Sequence, residues 1–274
     1  MPPTRLLALA AIIAGLLSSP AAAPRVTLTA GGDRAPWVAL LDGLVHGPEL
    51  STVTLMIATP AEAQARCAGA ESCYEPATGT IVAADRAPRG YTIQEMVAHE
   101  YGHHIAAAQR NDPWDSYEWG TKRWASYEDV CVGVAAGRFF PGDQGARYAQ
   151  NPGEAFADAY RILNGGKGAS PFDARLAPDS TSLQLLREDI EHPWRGPQTL
   201  VRRGLAPARV RIGTQLDGTF TAAATGRRLK VVDAATGRVL ARGRGRVRAR
   251  ICGQDALTVV VSGRGRFRLR IQRP

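Results

Sequence analysis

Long apolar runs are scarce in this 274-residue chain. The run at residues 6–17 is shorter than the roughly 20 residues that a membrane-spanning helix needs. Arg5 precedes this run and small residues at positions 18–23 follow it, which is the pattern of a secretory signal peptide. No cysteine lies directly after the run, which argues against a lipoprotein. We therefore predict a signal peptide at residues 1–23 and a secreted, extracellular protein, with an uncleaved anchor as the alternative.

Cysteine is also scarce, with four residues in the chain. An even number of cysteines in an exported protein predicts two disulfides. Cys67 and Cys73 lie close enough in sequence to close a short loop, and Cys131 and Cys252 would then pair by elimination. Four cysteines allow three connectivities, and the sequence does not choose among them.

Acidic residues are nearly missing from the C-terminal part of the chain. Residues 199–274 contain 18 Lys and Arg against 3 Asp and Glu, whereas the rest of the chain contains 16 against 22. We therefore divide the chain that follows the signal peptide into a domain at residues 24–198 and a basic domain at residues 199–274. In the basic domain short apolar runs alternate with turn signals such as Asp217-Gly218, which predicts a small all-β sandwich.

Two segments of the basic domain, residues 244–251 and 264–271, alternate arginine with small or apolar residues. The two-residue period of a strand places these arginines on one face. Such a face suits an anionic partner, which would be a cell-surface polymer, lipid headgroups or nucleic acid. The alternative is a solvated face without a partner. The lack of interleaved aromatic residues argues against a binder of single-stranded nucleic acid.

Histidine occurs five times, and two of these residues lie in His99-Glu100-Tyr101-Gly102-His103, an HExxH motif. Residues i and i+4 share one face of a helix, so the two imidazoles can bind one Zn²⁺. Glu100 then lies beside the open side of the metal, where a general base can take a proton from the attacking water. Thr92 and Glu95 form a capping-box pattern at the start of this helix, and residues 111–113 end it.

A catalytic zinc takes a third protein ligand, and the segment at residues 151–161 offers one. Its Asn-Pro start predicts the beginning of a helix, on which Glu154 and Asp158 share a face. We predict that Glu154 binds the metal and that Asp158 holds the second ring nitrogen of a ligand histidine. The alternatives are that Glu154 only caps its helix and that Glu128 is the third ligand.

Three further features bear on this site. His104 follows the motif but points about 100° away from the second ligand histidine, so we predict a structural role for it. Residues 81–84 predict a strand before the motif helix, which is either an exposed edge that pairs with an extended substrate or an ordinary core strand. The aromatic residues at positions 112–130 either line a substrate cleft or pack around the motif helix.

The HExxH motif followed by Asn151-Pro152-Gly153-Glu154-Ala155-Phe156-Ala157-Asp158 resembles the gluzincin zinc metallopeptidases, the thermolysin-like clan in its broad sense. The resemblance covers roughly residues 50–165. It implies an α+β, zincin-like domain with a mixed sheet, an active-site helix and a later helix that bears the third ligand. The family uses a Tyr or His to stabilise the transition state, for which Tyr148 and Tyr160 are the candidates. The gap between the motifs is longer than in thermolysin, so the chain resembles a divergent member.

These features predict a secreted zinc metalloendopeptidase that hydrolyses peptide bonds, with Zn²⁺ on His99, His103 and Glu154 and with Glu100 as general base. One alternative is a cell-wall peptidase that cleaves peptidoglycan cross-links. The other is a non-catalytic, zinc-containing protein that binds surfaces through its basic domain. The expected partners are a peptide or protein substrate and an anionic cell-surface polymer. No nucleotide site is predicted.

Overall fold

The computed structural model describes residues 23–274, so the predicted signal peptide, except for its last residue, lies outside the described residues. Within this range the chain is a mixed α/β structure with eight α-helices and two four-stranded sheets. The helices are α1 Ala35–Gly43, α2 Pro60–Arg66, α3 Ile93–Ala108, α4 Ser116–Trp119, α5 Lys122–Tyr127, α6 Val130–Ala135, α7 Pro152–Leu163 and α8 Ser180–Glu191. The strands are β1 Arg25–Leu28, β2 Thr54–Ala58, β3 Ser72–Glu75, β4 Thr80–Ala84, β5 Gln198–Gly213, β6 Gly218–Asp233, β7 Val239–Ile251 and β8 Ala256–Arg273.

The first sheet is mixed and has the strand order β1-β2-β4-β3. β1, β2 and β4 run parallel, whereas β3 pairs with β4 in the antiparallel direction and forms one edge of the sheet. Leu55 and Ile81 have no exposed surface, as expected for strands that are covered by helices. The short strand β1 is not evident from its sequence, and it forms because its main chain pairs along the length of β2.

One hydrophobic core joins the first sheet to its helices. α3 is buried along most of its length, and Val97, Tyr101 and Ile105 have no exposed surface. Phe156 and Tyr160 of α7 belong to the same core. α3 contacts α7 as well as β3 and β4, so that the two motif helices are packed directly against each other.

The second sheet is antiparallel throughout and has the strand order β5-β8-β6-β7. Its strands are 13 to 18 residues long, because several sequences with turn character continue a strand through a bend. Gly226 and Gly245 have φ angles of 69° and 78° at the place where the register between β6 and β7 shifts. The predicted sandwich of two sheets is therefore corrected to one continuous, bent sheet.

The bend allows the two halves of the second sheet to cover each other's apolar side. Ile251, Val259 and Ile271 have no exposed surface. The apolar side chains of this sheet form a cluster that is separate from the core of the first sheet. Because that other core does not cover them, these residues are buried by the opposite half of their own sheet. The outer side of the sheet is left to the solvent.

Two disulfides are present, Cys67–Cys73 and Cys131–Cys252, and these are the favoured pairs of the sequence analysis. The second one joins α6 to the connection between β7 and β8 and so links the two parts of the chain. Structural disulfides are typical of oxidising compartments and are consistent with an extracellular protein. Among residues 23–274, no helix combines the length and the hydropathy that a membrane span requires.

Candidate metal centre

Helix α3 carries the HExxH residues and begins at the predicted capping box. The Thr92 hydroxyl accepts from the Glu95 main-chain N–H at 3.1 Å, and the Glu95 carboxylate accepts from the Thr92 main-chain N–H at 2.9 Å. These reciprocal bonds satisfy two donors at the helix start. His99 and His103 follow at i and i+4, and their rings lie with centroids 5.1 Å apart. The local sequence thus holds the two imidazoles on one side of the helix.

Helix α7 begins where the sequence predicts, with Asn151 as its N-cap and Pro152 in the first turn. The Asn151 side chain accepts from the main-chain N–H of Gly153 at 3.0 Å. Glu154 lies in this first turn and is only 6% exposed. The cap therefore fixes the position along α7 at which the carboxylate enters the site.

Gly102, between the two motif histidines, permits the close approach of α3 to α7. A Cβ atom at this position would lie 2.8 Å from Cα of Ala157 and 3.0 Å from Cβ of Tyr160. No side chain larger than hydrogen fits in that space without moving one helix. The glycine in the HExxH motif is thus a packing requirement of this helix pair.

The helix pair brings three predicted ligands together. Oε2 of Glu154 lies 3.3 Å from Nε2 of His99 and 3.4 Å from Nε2 of His103. The ligand atoms of the three residues all lie within 4.8 Å of one another. A tetrahedral zinc ion with bonds of about 2.0–2.1 Å separates its ligand atoms by about 3.3–3.4 Å. The donor set and both distances therefore fit a zinc ion.

The carboxylate of Glu154 is oriented by two further side chains. Gln144 donates from Nε2 to Oε1 at 2.7 Å, and the Tyr148 hydroxyl donates to Oε2 at 2.8 Å. Burial disfavours ionisation, but hydrogen bonds and charges from His103 and His99 outweigh it and hold the pKa of Glu154 well below its ordinary value. Burial, together with the charge of Glu154, raises the pKa of the Tyr148 phenol. The phenol therefore stays protonated as a donor, and the carboxylate stays an acceptor.

Glu100 lies beside this cluster and does not belong to it. It is 6% exposed, and its Oε1 accepts from the Ser72 hydroxyl at 2.8 Å. Ser72 is the first residue of β3, so the edge strand of the first sheet orients this carboxylate. Nothing in the sequence around Ser72 pointed to this contact, because 28 residues separate it from Glu100.

The strand that the sequence analysis considered as a substrate edge is an interior strand. β4 pairs with β2 on one side and with β3 on the other, so its main-chain groups are already paired. The exposed-edge interpretation of residues 81–84 is therefore wrong, and the core-strand interpretation is confirmed. The free edge beside the motif helix belongs to β3.

Asp158 does not make the predicted hydrogen bond to a ligand histidine. Its Oδ1 accepts from Nε of Arg161 at 2.7 Å, and its buried Oδ2 has no hydrogen-bond partner. The buried Nδ1 of His103 also has no hydrogen-bond partner. Arg161 competes for the carboxylate because the i, i+3 spacing on α7 brings the guanidinium directly to it.

The two tyrosines that were considered as donors differ in position. Tyr148 lies at the site, whereas the Tyr160 hydroxyl donates to the main-chain carbonyl of Val45 at 2.6 Å. Glu128 is not near the histidines, since its surroundings are Asp129 and Asp179, near the start of α8. Of the two candidate carboxylates, the structure brings Glu154 to the histidine pair.

His104 has the structural surroundings that the sequence predicts. Its Nδ1 lies 3.0 Å from the Tyr74 hydroxyl and its Nε2 lies 3.0 Å from the carbonyl oxygen of Glu49. The aromatic segment at residues 112–130 packs around the motif helix, as one of the two interpretations predicted, and it also reaches the candidate site. Trp124 has no exposed surface, whereas Tyr117 packs with its ring centroid 5.4 Å from that of His103.

Two cavities meet at His99, Glu100, Ser72 and Tyr148. One has a volume of about 350 Å³ and extends towards apolar side chains, among them Met96, Pro171 and Phe172. The other has a volume of about 430 Å³ and is lined by polar side chains, among them Tyr117, Glu118 and Gln144. His99 and Glu100 thus lie where an apolar and a polar depression join, whereas His103 and Glu154 line the polar depression only.

A second group of potential ligands, Cys131, Asp217 and Cys252, also lies within the described residues. Its two sulfur atoms form a disulfide and are not free to bind a metal as thiolates.

Comparison of the chain with known protein families, with curated proteins and with solved structures gave no match. The interpretation of the site therefore depends on its own geometry.

Proposed function

We propose that the protein is a secreted zinc metallopeptidase of the gluzincin type. The observation that carries this proposal is the convergence of His99, His103 and Glu154 from two helices, with the Glu100 carboxylate beside them. A purely structural zinc site usually fills its fourth position with a protein ligand. Among the described residues, the group at this site offers three ligands and no fourth.

His99, His103 and Glu154 would hold the metal through two imidazole nitrogens and one carboxylate oxygen. When bound there, zinc supplies Lewis acidity, which polarises a carbonyl group and lowers the pKa of water. Gln144 and Tyr148 keep the Glu154 carboxylate in place by donating to both of its oxygens. These donors satisfy its remaining acceptor positions, which preserves the geometry of the ligand set.

Glu100 is the general base of the proposed reaction. Its carboxylate takes a proton from the attacking water and passes this proton to the leaving amide nitrogen, so that the proton count balances over one cleavage. The Ser72 hydroxyl donates a hydrogen bond of 2.8 Å to Oε1 of Glu100 and so fixes the orientation of this carboxylate. The Tyr148 hydroxyl has one proton, which it donates to Glu154 at 2.8 Å. In the proposed reaction this donor turns from Glu154 to the oxyanion that develops on the scissile carbonyl, and Gln144 continues to hold the Glu154 carboxylate.

The free edge of β3 gives the proposed substrate a place to bind. An extended peptide can add to this edge as a further strand, with its main-chain groups bonded to those of Ser72–Glu75. Such a peptide lies next to α3 and passes the junction of the two cavities. The proposed substrates are therefore peptides or proteins in extended conformation.

The test compares wild-type protein with the Glu100→Gln variant, in both zinc content and hydrolysis of casein. We expect about one zinc per chain in both proteins and a loss of turnover by a factor of about 10²–10⁴ in the variant, as is usual when a general base is removed. Parallel assays on purified peptidoglycan sacculi distinguish a cell-wall peptidase from a general one.

A matched control is Glu128→Gln, which makes the same change at a buried glutamate away from the histidines. We expect this variant to keep both zinc and activity. Zinc-loaded wild-type protein that cleaves neither casein nor sacculi, or a Glu100→Gln variant with an unchanged rate, would contradict the proposed function.

A further inference from the structure

The outer side of the second sheet carries a dense set of exposed basic side chains, which we call the arginine face. It comprises the even-numbered positions 242–250 of β7 and 264–270 of β8, all of them arginine, together with Arg203 of β5 and with Arg228 and Lys230 of β6. The intervening residues of the same strands, such as Val247 and Leu269, are buried in the sheet's own core. The period of two therefore places all of these charges on one side.

The strand register places like charges directly opposite each other. Arg203 is paired with Arg268 across β5 and β8, and Arg228 is paired with Arg244 across β6 and β7. Lys230 is paired with Arg242 in the same ladder. Like charges that face each other across a sheet destabilise it. The fold therefore keeps an arrangement that an anion bound between the strands would stabilise.

No acidic side chain of the described residues 23–274 supplies such an anion. The acidic residues of the second part of the chain are Asp217, Asp233 and Asp255. Asp217 and Asp233 are buried and accept hydrogen bonds from main-chain N–H groups of turns, and Asp255 lies in the connection between β7 and β8. Among residues 23–274, none of the ion pairs involves a residue of the second sheet.

Arginines in the first part of the chain, in contrast, form ion pairs with acidic side chains. Arg66 pairs with Glu75 at 2.6 Å, and Arg123 pairs with Asp189 at 2.7 Å. Residues 1–198 have more acidic than basic side chains, namely 22 against 16. A general preference for arginine in this protein therefore does not explain the arginine face, because the acidic partners are missing from one part only.

The shape of the sheet selects among anionic partners. Its two halves fold against each other, so the arginine face is convex. A flat bilayer or a stiff DNA duplex touches only part of a convex surface, whereas a flexible polymer follows it. The aromatic residues of the second sheet, Phe220 and Phe267, are both buried, so no ring is available on which the bases of a single strand could stack.

We propose that the arginine face binds a flexible acidic polysaccharide, whose carboxylate groups occupy the positions between opposed guanidinium groups. Guanidinium groups bind carboxylates through two parallel hydrogen bonds. Successive arginines on one strand lie about 6.8 Å apart and neighbouring strands lie about 4.8 Å apart, so a chain with regularly spaced charges meets several of them. This binding is independent of the metal centre and would hold the catalytic part at a polysaccharide surface.

The test measures binding of the full protein to alginate, a polymer of uronic acids, over a range of NaCl concentrations, with neutral dextran as the uncharged comparison. We expect binding to alginate that weakens with salt, and no binding to dextran. The triple variant R203Q/R244Q/R268Q removes three charges from the arginine face. We expect its affinity to fall at least about tenfold, and the slope of log K against log salt to become shallower by about 2.

The control is R25Q/R34Q/R195Q, which removes three exposed arginines from outside the second sheet. Its affinity and salt slope should match those of wild-type protein. The first variant should unfold at no lower urea concentration than wild-type protein, because it relieves two opposed pairs of like charges, Arg203 with Arg268 and Arg228 with Arg244. Absence of salt-dependent binding to alginate, or an equal loss in both variants, would refute the proposal. Tighter binding to phosphatidylglycerol vesicles or to oligo(dT) would refute the choice of polysaccharide.

Discussion

Oε2 of Glu154 lies 3.3 Å from Nε2 of His99, although 55 residues separate the two in the chain. No local rule of helix geometry relates these residues. Their proximity results from the packing of α7 against α3, which in turn depends on Gly102 and on the N-cap of α7. The candidate site is therefore a property of one helix–helix contact, and each of its parts can be tested separately.

Zinc content should distinguish the two carboxylates considered as third ligand. In Glu154→Ala, zinc affinity should fall by more than about 100-fold, because even the loss of a residue that only supports a ligand costs about 10–100-fold. Glu128→Ala should keep about one zinc per chain. Metal analysis after dialysis against a competing chelator measures both. Zinc retained in Glu154→Ala and lost in Glu128→Ala would reverse the assignment.

Replacing Gly102 by alanine should push α3 and α7 apart. The new Cβ would lie 2.8 Å from Cα of Ala157, and overpacking of this kind destabilises a protein by about 1–3 kcal/mol in spite of the better helix propensity of alanine. Zinc affinity should fall as well, because Glu154 moves with α7. Urea unfolding and a zinc titration measure the two effects. Gly43→Ala, in a helix position with open space around it, is the matched control and should be neutral or stabilising.

Replacement of Tyr148 and of Tyr160 by phenylalanine should affect different quantities, kcat/KM in the first case and the free energy of unfolding in the second. At saturating zinc, Tyr148→Phe should lower kcat/KM by about 100-fold, the effect of removing one donor to a developing oxyanion. Tyr160→Phe removes a hydrogen bond to Val45 and should lower the free energy of unfolding by about 1 kcal/mol, with kcat unchanged. Steady-state kinetics and urea unfolding of both variants separate the roles. Equal kinetic losses in the two variants would argue against Tyr148 as the donor.

Stability should depend on pH through Glu128. Burial, with the nearby charges of Asp179 and Asp129, raises the pKa of Glu128 from 4.5 to about 7. Between these values the folded state holds more protons than the unfolded state, so stability falls as the pH rises from about 4.5 to about 7. Glu128→Gln removes this dependence. The free energy of unfolding of the variant should exceed that of wild-type protein by about 3 kcal/mol at pH 8 and equal it at pH 4.5.

Urea unfolding of metal-free protein at the two pH values measures this difference. A constant difference between Glu128→Gln and wild-type protein at both pH values would show that Glu128 does not titrate as a buried group.

Helices α3 and α7 could be predicted from sequence because their signals are local. The capping box of Thr92 and Glu95 and the Asn-Pro start of α7 lie within a few residues of the turns that they stabilise. β1 and β3 have no comparable signal. Each has only four residues, and each forms because a longer strand, β2 or β4, offers its main-chain groups.

The residues of the candidate site also divide into those with a local sequence signal and those without one. Residues with a fixed spacing on one helix, such as His99 and His103, were predictable because the spacing sets the geometry. The contact of Ser72 with Glu100 and that of Gln144 with Glu154 depend on how separate elements pack, and no pattern in the sequence encodes them. Asp158 does not contact a ligand histidine as predicted: Arg161, three residues on, binds its Oδ1, and its Oδ2 has no hydrogen-bond partner.

In the second sheet, turn signals were taken as strand ends. Thr225-Gly226, one of these turn signals, lies at a bend inside β6, where a left-handed glycine turns the strand and the pairing continues beyond it. A sequence cannot distinguish a hairpin from such a bend, because both require the same residue. Only the pairing partners on the other strands decide between them.

The disulfide between Cys131 and Cys252 also determines how the molecule responds to proteolysis. The segment at residues 192–197, between α8 and β5, is the direct connection between the metal centre and the arginine face. Cleavage there would not separate the two, because the bond from α6 to the connection between β7 and β8 still joins them. A nicked protein would migrate at full mass without reductant and as two fragments with it. A copy cleaved in this segment therefore loses backbone continuity while its two parts remain covalently joined.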